Sequence, residues 1–264
     1  YCQNGLGDTL QFIRYVSCLK QKGIDVVLSV DTKLHKLIKE AGLHSNPITL
    51  EAARTFRGNT WIPLLFLPKY LNVSPSNPII TTSYISISNE YIRKWRLRLS
   101  SECRPIVGIN WQGNPINETS QNKGRSIPLE ALASIANQTG ISLISLQKGF
   151  GAEQLSQCSF VNRFVSSQQT INQTLDFVEN AAIIANCDLV ITTDTVVAHL
   201  AGGMGKNTWL LLKDVPEWRW GLEKNTTFWY PSMRLFRQVE SSNWNEVIDR
   251  VIIELNRFKA DFFN

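Results

Sequence analysis

The feature that most constrains the fold is an apolar run in the second half of the chain that turns directly into a helix. Residues 189–192 are typical of a buried strand, and the chain then breaks at residues 193–195 before a helix that carries His199. Asp194 or Thr195 can cap this helix, and the free N–H groups of its first turn favour an anion such as phosphate. The stretch therefore predicts an anion-binding turn between a strand and a helix.

Two interpretations of this helix stay open. His199 lies four residues after Thr195, on the same helical face, so it can reach the same ligand. A single histidine among Ala, Val and Leu is more often a hydrogen-bonded structural residue. The neighbouring small residues equally fit a helix that packs closely on a sheet; they are Ala198, Ala201, Gly202, Gly203 and Gly205.

The rest of the second half alternates between strands and helices. Predicted strands cover residues 105–111, 141–146, 160–165, 189–192 and 207–212. Predicted helices cover residues 129–138, 175–186 and 244–258. Such alternation predicts an α/β fold with a mostly parallel, doubly wound sheet. A boundary near residues 100–104 divides the chain into a first domain, 1–102, and a second, 103–264.

The first half follows the α/β pattern less regularly. Strands are predicted at residues 24–30 and 83–87, with helices at 32–41 and 90–99 and irregular, proline-bearing chain at 46–77. No strand precedes the glycine-rich start, although such a turn normally follows one. We therefore expect a short or truncated first domain whose first strand, together with further N-terminal sequence, is missing from this chain.

The glycine-rich start is the second candidate site. Gly5 and Gly7 allow the backbone to approach a phosphate or sugar closely, and Asp8 stands where a helix cap is expected. The G-x-G pair lacks the third glycine of the dinucleotide fingerprint, so a nicotinamide cofactor is weakly indicated. We predict no cofactor.

Three loops follow predicted strand ends, where open parallel sheets bind ligands; they are residues 112–125, 147–148 and 193–195. Lys123 and Arg125 can neutralise a diphosphate, although exposed loop cations are an equally simple interpretation. Gln147 can pair with a base or ribose, or only end a strand, and Lys148 beside it is a further predicted donor contact. The aromatic residues around Arg219 fit either a sugar or partner surface or packing at a domain edge.

Composition narrows the class of protein. With 43% hydrophobic and 19% charged residues, the 264-residue chain reads as soluble, and no apolar run is long enough for a membrane span. The five scattered cysteines contain no C-x-x-C pair, which favours free thiols in the cytoplasm. The net charge of +5 is spread along the chain, and attraction for phosphorylated small molecules explains it as well as nucleic acid does. We predict no nucleic-acid partner.

Five segments carry a wider resemblance: residues 5–8 (G-L-G-D), 124–128 (G-R-S-I-P), 145–149 (S-L-Q-K-G), 192–202 (T-T-D-T-V-V-A-H-L-A-G) and 229–236 (W-Y-P-S-M-R-L-F). The set resembles glycosyltransferase family 9, the relatives of ADP-heptose:lipopolysaccharide heptosyltransferases. Within that family it is similar to the domain found behind tetratricopeptide repeats in bacterial proteins. The resemblance runs from Gly5 to about Leu255.

This resemblance implies a GT-B architecture, in which two Rossmann-like domains face each other across a cleft. The first binds mainly the acceptor and the second mainly the nucleotide-sugar donor. The family's proposed general base falls on Asp8, and its diphosphate-binding cation falls on Lys123 or Arg125.

The donor-contacting motif of the family falls on Asp194, Thr195 and His199. Val196 stands where the family usually has Gly or Ala, at the point where the backbone approaches the sugar. An N-terminal repeat region is also implied.

Together these observations predict an inverting, metal-independent transfer from a nucleotide-diphosphate sugar, of heptose or hexose type, to a glycan, lipid-linked or protein acceptor. A carboxylate would take the acceptor proton, and a cationic, N–H-rich pocket would stabilise the departing diphosphate. Since the chain contains no D-x-D pair, we predict no metal. The alternative is a non-catalytic sugar-nucleotide or protein-binding domain attached to tetratricopeptide repeats.

Overall fold

A parallel five-stranded sheet forms the centre of the second half of the chain. The computed structural model describes residues 5–57, 60–118 and 123–263. The strands are β1 (Ile106–Asn110), β2 (Ser142–Ser145), β3 (Leu189–Thr193), β4 (Thr208–Leu212) and β5 (Met233–Arg237), in the order β2-β1-β3-β4-β5. Every neighbouring pair is parallel, so all five carboxyl ends lie at one edge. The predicted α/β class with a parallel sheet is confirmed.

The strand order places a ligand site at a defined point. The chain leaves β1 towards β2 on one side and later returns to β3 on the other, so Ile109 lies opposite both Ser145 and Ile191. Beyond β2, Phe164 makes a parallel bridge to Leu143 at the outer edge. This is the doubly wound order, whose crevice lies between the ends of β1 and β3.

Helices cover both faces of the sheet, and alternate residues of each strand point to opposite faces. The helices of this half are α7 (Ala133–Ala136), α8 (Gln168–Asn172), α9 (Phe177–Asn186), α10 (Val196–Gly203) and α11 (Asn245–Phe263). Helices α7 and α11 cover the face that includes Val107 and Trp209. Helices α9 and α10 cover the face that includes Val190 and Leu210.

The first half is mainly helical. Its helices are α1 (Leu6–Phe12), α2 (Val16–Gln21), α3 (His35–Glu40), α4 (Leu50–Ala53), α5 (Leu67–Tyr70) and α6 (Asn89–Arg98). The predicted strand at 24–30 is reduced to one parallel bridge, between Ser29 and Ile48. The predicted strand at 83–87 is also wrong: the N–H groups of Tyr84 and Ile85 both bond to the carbonyl of Gly203. The first run thus pairs with a single short segment, and the second bonds to the end of α10.

Three further expectations need correction. Residues 160–165 form a short 3₁₀ helix at Val161–Arg163 followed by the bridge at Phe164 rather than a full strand. Strand β5 was not predicted from the sequence. Helix α1 begins at Leu6 with Gly5 at its N-cap position, so Asp8 lies in the first turn and is not the cap.

The two halves of the chain share a hydrophobic core. Phe12 of α1 packs edge to face against Trp229, with ring centroids 5.9 Å apart. Helix α1 lies directly against α10, and buried residues of both belong to one apolar cluster. The division at 102/103 stays a prediction. No helix in the described part of the chain is long and apolar enough to cross a membrane.

Candidate functional site

The turn from β3 into α10 has the geometry expected of an anion site. Thr195 is the N-cap of α10, and its hydroxyl accepts a hydrogen bond from the N–H of Val197 at 3.3 Å. Of the two predicted caps, the structure selects Thr195. Val196, at the positive end of the helix dipole, lies at the crevice between β1 and β3.

A network of buried side chains fixes this turn to the ends of β1 and β2. Asn110, the last residue of β1, accepts hydrogen bonds from the hydroxyls of Thr195 at 2.7 Å and Thr192 at 3.1 Å. The Asn110 amide then donates to Gln147 Oε1 at 2.7 Å. Asn110 was not among the predicted site residues, although its position at the end of a predicted strand indicates a place where parallel sheets bind ligands.

Gln147 has its hydrogen-bonding groups occupied by the chain itself. Its Oε1 also accepts from the N–H groups of Trp111 and Gln112, at 3.2 and 3.0 Å. Its Nε2 donates to the carbonyls of Gln112 and Phe150, at 2.8 and 2.7 Å. With 3% of its surface exposed, Gln147 joins two strand ends, and this geometry argues against the predicted contact with a base or ribose.

His199 is enclosed by aromatic rings and by the first helix. Its Nδ1 lies 2.9 Å from the hydroxyl of Tyr230, and its ring stacks on Trp220 with centroids 5.6 Å apart. A Cβ added at Gly7 would come within 2.7 Å of His199 Cδ2. Burial lowers the pKa of His199 well below its usual 6.5, so the ring is neutral at physiological pH.

Asp194 lies at the same turn, with its Oδ1 4.0 Å from His199 Nε2. Burial raises the pKa of this carboxyl, and the nearby guanidinium of Arg219 acts in the opposite direction. The sheet side of the site therefore carries a buried carboxyl, near the charge of Arg219, beside a neutral histidine.

Asp8, the predicted base, is paired with Arg219. The guanidinium donates to Asp8 Oδ1 at 2.6 Å and to Glu217 Oε2 at 3.2 Å, and it also donates to Gln11 Oε1. The Arg219 side chain is only 7% exposed. From the sequence, this arginine was predicted only as part of an aromatic-rich loop, because nothing local indicates a partner 211 residues away.

The predicted cations differ in position. Arg125 lines the cleft, with its Nε 3.6 Å from Glu118 Oε1. Lys148 also lines the cleft, where burial lowers its pKa to about 8 and its ammonium donates to the carbonyl of Ile171. Lys123 is exposed and lies outside the cleft lining. Of these two predicted cations, Arg125 therefore lines the cleft and Lys123 does not.

One cleft of about 590 Å³ brings the two walls together. The first wall comes from the start of α1, and the second from the carboxyl ends of β1, β2 and β3. All predicted site residues except Lys123 line it: Gly5, Gly7, Asp8, Arg125, Gln147, Lys148, Asp194, Thr195, Val196 and His199. Within the described residues, no group of three or more His, Cys, Asp or Glu side chains could hold a metal ion.

The whole fold is similar to solved glycosyltransferase structures. The E. coli ADP-heptose lipopolysaccharide heptosyltransferase II aligns over 100% of this chain and 98% of its own, with TM-score 0.66 and 12% identity. The fold is that of the GT-B heptosyltransferases. A glycosyl transferase of family 9 from Veillonella parvula aligns over 90% of this chain and 84% of its own, with TM-score 0.60 and 12% identity.

A third solved structure and one curated protein extend the comparison. E. coli heptosyltransferase WaaC, with ADP-2-deoxy-2-fluoro heptose, aligns over 96% of this chain and 97% of its own, with TM-score 0.51 and 11% identity. Protein FlbA of Caulobacter vibrioides is 26% identical over 157 residues, which are 59% of this chain. The match spans 26% of the length of FlbA. No protein-family model matches the chain.

Proposed function

We propose that this chain is an inverting glycosyltransferase that uses a nucleoside-diphosphate sugar. The observation that carries the proposal is the composition of the cleft. A carboxylate, Asp8, lies on the α1 wall, while a helix N-terminus with Arg125 and Lys148 lies on the sheet wall. A proton acceptor and an anion-binding surface that face one cavity are the parts that such a transfer needs.

In the proposed reaction, Asp8 takes the proton from an acceptor hydroxyl. The acceptor oxygen forms a bond to the anomeric carbon from the face opposite the leaving group. The bond from that carbon to the diphosphate oxygen breaks, and its electron pair stays on the diphosphate. Arg125, Lys148 and the first-turn N–H groups at Thr195 and Val196 stabilise the charge that develops there.

The proposed donor class follows from the cations and the helix N-terminus of the sheet wall and from the fold comparison. WaaC has been solved with ADP and with ADP-2-deoxy-2-fluoro heptose. We extend this to an ADP-linked or similar nucleoside-diphosphate sugar of heptose or hexose type for the present chain. We further propose a metal-independent reaction in the cytoplasm, on a glycan, lipid-linked or protein acceptor.

The test uses a panel of ADP-, UDP- and GDP-linked sugars, with calorimetry for binding and release of nucleoside diphosphate for turnover. With a donor so identified, we expect Asp8→Asn to lower kcat by about 10²–10⁴-fold, the usual contribution of a general base. Donor affinity should change by less than about threefold, since the donor contacts lie on the other wall.

The control is Asp25→Asn, which alters an exposed carboxylate outside the cleft lining and should leave kcat unchanged. Undiminished turnover in Asp8→Asn would exclude Asp8 as the base. If no donor is turned over or bound, the glycosyltransferase proposal itself fails.

The second candidate function is a non-catalytic sugar-nucleotide or protein-binding domain attached to tetratricopeptide repeats. One observation favours it: the Asp8 carboxylate is already engaged by Arg219 at 2.6 Å. Calorimetry separates the two candidates, because tight donor binding without hydrolysis or transfer to any cell-extract component would support the binding domain.

A further inference from the structure

Arg219 connects the two walls of the cleft. It lies on the short 3₁₀ helix Trp218–Trp220, which belongs to the sheet half, and it bonds to Asp8 and Gln11 of α1 in the first half. It therefore crosses from one wall to the other, and it lines the cleft between them.

The guanidinium is held on several sides. Besides its bonds to Asp8 and Gln11, it donates to Glu217 at 3.2 Å. Its central carbon lies 5.7 Å from the ring centroid of Phe12 and 5.8 Å from that of Trp218. Because these contacts already fix the planar guanidinium, Arg219 loses little further side-chain entropy when it holds a carboxylate in one orientation.

Asp8 needs such a partner because of its position. It lies in the first turn of α1, three residues after the N-cap residue Gly5. Its side chain is 20% exposed at the cleft wall. A carboxylate side chain can in general occupy more than one rotamer, whereas a general base must lie within hydrogen-bond reach of the proton it takes.

We propose that Arg219 is a positioning residue that fixes the Asp8 carboxylate towards the acceptor. This inference rests on the proposed function, since it assigns Arg219 a task within that reaction. The guanidinium binds Oδ1, and the proposed acceptor of the proton is Oδ2 of the same carboxylate. Arg219 touches neither reacting atom in this assignment, and it contributes to the proton transfer through Asp8.

The decisive experiment is a double-mutant cycle on turnover, using the donor found with the panel above. Arg219→Ala should lower kcat by about 100-fold, the scale expected when a catalytic group is misplaced by about 1 Å, and leave the donor KM within about threefold. The double variant Asp8→Asn/Arg219→Ala should be no slower than Asp8→Asn alone, because both changes remove the same function, an oriented general base.

Two rescues separate positioning from general damage. Arg219→Lys retains a cation for Asp8 but cannot form the same fork, so we expect it to recover part of the loss. Added guanidinium ion should raise the turnover of Arg219→Ala and have no such effect on Asp8→Asn. The inference would be overturned if the kcat losses of the two single variants multiplied in the double variant. It would also be overturned if Arg219→Lys lost as much kcat as Arg219→Ala and guanidinium ion did not raise the turnover of Arg219→Ala.

The matched control is Arg234→Ala. Arg234 makes an ion pair of the same length, 2.6 Å, with Glu254 on α11, outside the cleft lining. Its loss should leave kcat and the donor KM unchanged. Thermal unfolding of each variant checks folding, and Arg219→Lys replaces the alanine variant in the cycle if the latter does not fold.

A crystal structure of Arg219→Ala, or of Arg219→Lys, decides the positioning separately from activity. We expect the Asp8 carboxylate to turn away from its present orientation; an unchanged carboxylate would overturn the inference even if the wild-type protein is an active transferase. Conversely, absence of turnover with every sugar donor in the wild-type protein would refute the proposed function. A displaced Asp8 carboxylate in the Arg219 variant would even then support the conclusion that Arg219 orients Asp8.

Discussion

The two walls of the cleft are built in different ways. On the sheet wall, β1, β2 and β3 end at one edge, and a chain of hydrogen bonds from Thr195 through Asn110 to Gln147 joins those ends. On the α1 wall, the described first half contains no regular sheet, and the position of α1 depends on side chains that reach across the molecule.

Arg14 shows how the α1 wall is held. It is 2% exposed, and its guanidinium lies between the rings of Tyr84 and Tyr230, 4.4 Å from each centroid. It donates to the carbonyl of Trp229, which follows β4 in the sheet half. A regular sheet thus positions its site residues through its topology, whereas the helical wall needs individual long-range contacts.

Replacing Arg14 should lower the stability of the protein more than any other change proposed below. Arg14→Met would leave the carbonyls of Gln11 and Trp229 and the hydroxyl of Tyr84 without their donor in a buried place. We expect a loss of about 3 kcal/mol in the free energy of unfolding, measured with urea, since each unsatisfied group costs about 1–3 kcal/mol.

The control for this change is Arg257→Met on α11. That arginine is 69% exposed and pairs with Glu254 within its own helix. Exposed pairs contribute about 0–1 kcal/mol, so a small loss is expected. Equal losses for the two variants would remove the distinction between a wall held by side chains and a wall held by topology.

The next prediction concerns the pH dependence of ADP binding at the sheet wall. Because burial lowers the pKa of Lys148 to about 8, its ammonium is charged below that pH and becomes neutral above it. If Lys148 contacts a diphosphate, the affinity for ADP should fall as pH rises from 7 to 9, by up to about tenfold, or about 1.4 kcal/mol.

Calorimetric titration of ADP across this range measures the effect, with Lys148→Arg as the comparison because arginine stays charged. The arginine variant should show a flat profile. A pH-dependent loss of the same size in both proteins would assign the titration to another group.

The smallest effect tests the direct contact between the walls. In Gly7→Ala the new Cβ would lie 2.7 Å from His199 Cδ2, and the histidine is fixed by Tyr230 and Trp220. Overpacking costs about 1–3 kcal/mol, while the helix propensity of alanine returns about 1 kcal/mol. We expect a net loss of about 1 kcal/mol in unfolding free energy.

Gly5→Ser is the comparison for this prediction. At Gly5 the nearest atom to an added Cβ is 4.0 Å away, and serine is a favoured N-cap residue. Its unfolding free energy should stay within about 0.5 kcal/mol of wild type. A stabilised Gly7→Ala variant would mean that α1 can move away from α10 without cost.

The contrast between the walls also explains what the sequence could predict. The turn at Thr195 and the strands around it carry their signal locally, in apolar runs followed by polar residues, and the parallel sheet was predicted correctly. Strand β5 was missed although its buried and half-buried residues partly alternate, because it follows a long aromatic loop without a clear start signal.

The first half was less predictable. Ile24 and Val27 read as part of a strand but are 41% and 49% exposed, since no strand pairs with them in the described chain. Most residues predicted for the site line the cleft, and they were predicted from strand ends and helix starts together with the family resemblance. Arg219 and Asn110 were not assigned to the site, because their roles depend on partners that only the folded chain brings near.

The core shared by the two halves of the chain limits how far the cleft can open to admit substrates. Opening the cleft by swinging one half away from the other would expose Phe12 and Trp229, which now cover each other, together with the buried guanidinium of Arg14. Exposing this apolar area is costly. Substrates are therefore expected to meet an entrance of nearly constant width, and calorimetric unfolding should show one heat-absorption peak for the entire chain.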